Sequence, residues 1–99
     1  MRALKQNMVH EWAIKVYGSL DNFKSECWIE GCVFEMPVAI IPPATYEEWI
    51  NAKENGSYTD GIIEVENSWV RGFVLNNGHN RLKTYIADGI EVVKVKFIE

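Results

Sequence analysis

The chain reads as an α+β fold, an antiparallel sheet of about five or six strands with a single helix packed on one face. Three observations carry this expectation. Alternating and β-branched segments recur along the chain, a single helix-capping signature stands near its middle, and Asn-Gly and Asp-Gly dipeptides punctuate its last third.

From Met8 to Tyr17, Met8, His10, Trp12, Ile14 and Val16 alternate with Val9, Glu11, Ala13, Lys15 and Tyr17, the period of a half-buried strand. Gly18 to Asn22 reads as a turn, and a second strand is expected over about Glu26 to Met36. Pro42-Pro43 ends the extended chain. Thr45 then caps a helix whose Glu48 completes a capping box, with Glu47 and Glu48 at the positive end. Tyr46, Trp49, Ile50 and the stem of Lys53 share one face, Trp49 is expected to anchor that face to the sheet, and Asn55-Gly56 supplies a left-handed stop after about three turns.

Strands follow at Ile62 to Glu66, Trp69 to Leu75, Arg81 to Ala87 and Ile90 to Ile98, with Asn77-Gly78 and Asp88-Gly89 as two-residue hairpin turns. That register places Trp69, Phe73, Leu75, Leu82, Ile86, Val93, Val95 and Phe97 on a core face under the helix. The opposite face collects Val70, Val74, Arg81, Lys83, Tyr85, Val92, Lys94 and Lys96. A turn at Asn67-Ser68 would also align Glu64, Arg71 and Thr84 in a polar row, most simply a structural ion pair.

At 99 residues the chain forms one domain, spanning 1–99. A hydrophobic content of 47% and a charged fraction of 24% argue for a packed core and against disorder. The most apolar stretch, CVFEMPVAII, is too short to span a bilayer, so no membrane association and a cytoplasmic location are expected. The net charge of -4 is uneven. Residues 1 to 68 carry five Lys/Arg against eleven Asp/Glu, and residues 69 to 99 carry five against three.

The only cysteines, Cys27 and Cys32, are expected to be reduced strand residues, unable to bridge unless Trp28 to Gly31 forms a turn. Four ligands with paired spacing are missing, so no metal site is expected. His10 reads as a core-edge residue, and His79 as an exposed turn residue without a carboxylate or nucleophile to work with. No phosphate loop, HExxH, GxSxG or calcium loop is present, and neither catalytic residues nor a cofactor are expected.

The basic face is the sharpest functional feature. With Lys83 opposite Lys94 and Arg81 opposite Lys96, like charges repel, and an anionic partner would relieve them. Val70, Val74 and Val92 would supply dry contact and Tyr85 a flat ring. The expected function is a small non-enzymatic interaction protein that binds a protein partner, in the manner of an accessory subunit or a mobile-element-type inhibitor of host machinery. The alternatives are a nucleic-acid-binding domain using the same face, and a small enzyme with its site at a subunit interface.

Overall fold

A computed structural model describes residues 2–53 and 62–99. Its described elements are α1 (Arg2–Tyr17), α2 (Leu20–Cys27), β1 (Val33–Pro37), a 3-10 turn (Val38–Ile40), α3 (Tyr46–Asn51), β2 (Ile63–Ser68), β3 (Gly72–Asn77), α4 (His79–Ala87) and β4 (Val92–Ile98). The α+β class holds. The expected sheet of five or six antiparallel strands with one helix does not, because the described residues form a mixed four-stranded sheet and four α-helices.

Met8 to Tyr17 is the largest correction. The segment alternates, but it also repeats every three to four residues, and the buried side chains Val9 and Ala13 with half-buried Trp12 and Tyr17 follow the helical repeat. Strong helix formers before and among them favour the helix. Gly18, at φ 91°, ends α1 by donating its N–H to Ile14 O at 2.9 Å. Ser19 caps α2 by accepting from the Asn22 N–H at 3.1 Å. The expected loop over Gly18 to Asn22 is thus one helix stop followed at once by a helix start.

Arg81 to Ala87 is the second correction, since α4 replaces the expected strand. Gly78, at φ 114°, closes β3 and opens α4 in place of a hairpin. Gly89 terminates α4 in a Schellman pattern, with Ile90 N–H donating to Tyr85 O at 3.0 Å and Gly89 N–H to Ile86 O at 3.1 Å. Both dipeptides supply the positive φ that the sequence announces, and helix ends use it.

The strand order is β1-β4-β2-β3, with β1/β4 and β2/β3 antiparallel and β2/β4 parallel. The chain must therefore pass from β3 over β2 to β4, two strand spacings or about 9.6 Å. A nine-residue helix is about 13.5 Å long, enough to cross that gap but not to run the length of a strand and back. So α4 lies across one end of the sheet. The opposite end carries the β2–β3 hairpin tip, the Ile29–Cys32 turn and the last residues of β4.

One sheet face packs Phe34, Met36, Ile63, Val65, Phe73, Leu75, Val93, Val95 and Phe97 against Val9 and Ala13 of α1, Phe23 and Cys27 of α2 and Leu82 of α4. Phe23 is the hub, its ring centroid 5.2 to 6.0 Å from those of Trp12, Tyr17, Trp28, Phe34 and Phe73. Helix α3 keeps the expected Thr45 cap, which accepts from Glu48 N–H at 3.0 Å, but stops at Asn51. Trp49 is half-buried under the Lys83 ammonium, 4.9 Å from its ring centroid, and anchors less area than expected. The stop expected at Asn55-Gly56 lies outside the described residues.

The two sheet edges differ. On β3 the Gln6 side chain donates to Phe73 O and accepts from Phe73 N–H, while Leu75 N–H donates to Pro42 O at 2.8 Å. Gln6 and Pro42 thus occupy hydrogen-bonding positions that another strand would take. On β1, Pro37 removes a donor and Glu35 adds a charge, both of which oppose edge pairing.

Candidate functional site

The residues expected to form one basic face are divided between the two ends and two sides of the sheet. Arg81, Lys83 and Tyr85 stand on α4, half-buried at the crossing end. The Arg81 guanidinium Nη1 donates to Ile62 O at 3.4 Å, and Lys83 Nζ to Ala52 O at 3.1 Å while covering Trp49. Tyr85 packs against the core. These side chains tie α4 to the segments beside it.

Lys94, Lys96 and Val92 do share the outward side of β4. There Lys94 lies opposite Glu35, and Lys96 lies between Val33 of β1 and Glu64 of β2. The register therefore sets each lysine next to a carboxylate rather than another cation, so like-charge repulsion does not call for an anionic partner there. Val74 is 0% exposed and Val70 is at the hairpin tip. Among the eight expected residues, Val92, Lys94 and Lys96 share one side of β4 and Arg81, Lys83 and Tyr85 share α4, so the eight form no common face.

The polar row also dissolves. Arg71 pairs with Glu66 at 3.6 Å, Glu64 accepts from Asn77 Nδ2 at 3.5 Å, and Thr84 Oγ1 donates to Asn80 O at 2.9 Å within α4. His79 is not an exposed turn residue. It begins α4, and its Nε2 accepts from Ala44 N–H at 3.1 Å with a Glu48 carboxylate oxygen 3.8 Å away. Burial lowers its pKa, and Glu48 raises it by less. Among the described residues no group of three or more His, Cys, Asp or Glu is placed to hold a metal ion, and no helix is long and apolar enough to cross a membrane.

The surface that stands out is at the hairpin end. Ser68 Oγ accepts from the N–H groups of Val70 and Arg71 at 3.3 and 3.2 Å, and Gly72 turns back into β3 at φ 75°. This local bonding moves the turn past Asn67-Ser68 and lifts Trp69 off the expected core face. Trp69 is 100% exposed and Val70 87%. Ile29 and Val33 are further exposed apolar residues at this end, where Gly31 N–H donates to Phe97 O at 2.8 Å and Glu99 N–H to Glu30 Oε1 at 3.1 Å.

Beside the tip is a shallow recess of about 340 Å³ lined by Trp28, Asn67, Phe97, Ile98 and Glu99. Its Trp28 wall is rigid, stacked on Phe97 and Phe73 at 5.8 Å with interplanar angles of 12° and 20°. Trp28 Nε1 is a buried donor with no partner among the described residues. The arrangement offers a projecting indole, a recess with fixed aromatic walls, and the carboxylates of Glu30 and Glu99 at its margin. The alternating pattern puts Trp69 on the core face, and only the Ser68-to-Gly72 turn chemistry signals otherwise. No protein-family model matches the chain, and neither a curated protein nor a solved structure does.

Proposed function

We propose that this chain is a small, non-enzymatic, cytoplasmic interaction protein whose hairpin end inserts Trp69 into an apolar cleft of a protein partner. The observation that carries the reading is the complete exposure of Trp69 beside Val70 at a hydrogen-bonded hairpin tip. An indole left in water forgoes roughly 2 kcal/mol or more of burial, which docking would recover. Tryptophan is also the residue type most enriched among those that dominate interface energetics. The recess beside Trp28 supplies a complementary hollow, and Glu30 and Glu99 favour a partner whose cleft has a basic rim. Lys96, opposite Val33 on the outward side of β4, would add a cation to the polar periphery.

The test is photo-crosslinking from a residue substituted at Val70, with a control at Ile86 on α4 at the other end of the sheet. A protein adduct from position 70 that is weak or missing from position 86 supports the reading. Equal adducts from both positions, or nucleic acid as the crosslinked species, would count against it.

A further inference from the structure

A turn over Ile29 to Cys32 brings the Cys32 thiol back to the end of α2, the arrangement that a bridge to Cys27 requires. Trp28 N–H donates to Lys24 O at 3.0 Å as the last bond of α2, and Cys32 N–H donates to Ile29 O at 2.8 Å, closing a tight turn with Gly31 at φ 83°. The chain doubles back. The Cys32 thiol then donates to Glu26 O at 3.4 Å, the carbonyl of the peptide that joins Glu26 to Cys27. Both cysteines are free.

We propose that Cys27 and Cys32 are a reversible dithiol–disulfide pair, oxidised by exchange with a low-molecular-weight disulfide. The two thiols differ in the way such chemistry needs. Cys32 is half-buried and reachable; Cys27 is 3% exposed. In the first step the Cys32 thiolate attacks one sulfur of oxidised glutathione, forming a mixed disulfide and releasing one glutathione thiolate, which takes up a proton. In the second step the Cys27 thiol gives up its proton, its sulfur attacks Cys32 Sγ, and the second glutathione leaves as thiol. Two protein thiols are oxidised and one disulfide is reduced to two thiols.

The surroundings of Cys27 suit the resolving role. Burial pushes its pKa up, which keeps it a thiol at rest, while a hydrogen bond from the Tyr17 hydroxyl acts in the other direction by stabilising the thiolate. The Tyr17 hydroxyl is itself pushed far up, first by burial and then by that bond, so it stays a donor. The oxidised form would tie the end of α2 to the start of β1 and fix the turn that carries Trp28 and Ile29. This pairing stands whether or not the hairpin end binds a partner.

The experiment incubates the reduced full chain with excess oxidised glutathione, quenches in acid and follows intact mass with peptide mapping. The expected product is lighter by two hydrogens with Cys27 linked to Cys32. Cys27→Ser should instead stop at a single glutathione adduct on Cys32, and Cys32→Ser should react about tenfold more slowly, because only the buried thiol remains. The wild-type product decides the matter even if a variant misfolds. A stable glutathione adduct, a disulfide between two chains, or a wild type that keeps both thiols free would overturn the pairing.

Discussion

The Gln6 carboxamide behaves as a peptide group supplied by a side chain. It meets both the N–H and the C=O of Phe73 at the β3 edge, where either group left unpaired would be costly. Gln6→Leu should therefore destabilise the chain by about 1–3 kcal/mol, measured as a shift in the urea midpoint. An unchanged midpoint would mean that water replaces the carboxamide at no cost.

His79 makes a second residue-scale case. The Ala44 N–H donates to Nε2, so the neutral ring carries its proton on Nδ1. Its folded pKa is lowered from the ordinary 6.5, chiefly by burial, so the unfolded chain takes up the proton first as pH falls. The contribution to stability is complete above 6.5 and is lost progressively below it, down through the folded pKa. Urea midpoints between about pH 7 and 5.5 should fall for the wild type and flatten in His79→Gln. The same slope in both proteins would locate the titration elsewhere.

At the scale of elements, α2 contributes most of its packing through one residue. Phe23→Ala removes the ring that five other aromatic rings surround, and should cost about 3–5 kcal/mol by denaturant titration, a large share of what a domain of this size possesses. Trp49→Ala should cost only about 1–2 kcal/mol, because its ring is half-buried and covered by the Lys83 chain. The sequence made the Thr45 cap, β2 and most of β4 legible, since capping and β-branched runs are local signals. It left α1 and α4 ambiguous, because Met8 to Tyr17 and Arg81 to Ile86 satisfy period two and period 3.6 alike. Gly78 and Gly89 announce positive φ, which serves a hairpin turn or a helix end equally well. Choosing between those uses requires the sheet order. A strand over these residues would set Arg81, Lys83 and Tyr85 on a sheet face that, as part of α4, they do not occupy.

At the scale of the whole molecule, the two ends of the sheet have different characters. The end crossed by α4 uses its cations internally, on Ala52 O, Ile62 O and the Trp49 ring. The hairpin end leaves Trp69 entirely in water. Trp69 makes no packing contribution there, so its substitution separates binding from folding. The decisive measurement is the affinity of the photo-crosslinked partner for wild type and for Trp69→Ser, after both have been shown to unfold at the same urea concentration. The expected result is a loss of at least about 2 kcal/mol in binding, some thirtyfold in Kd, with no change in stability. A partner that binds Trp69→Ser as tightly as wild type would contradict the assignment of the hairpin end as the contact surface.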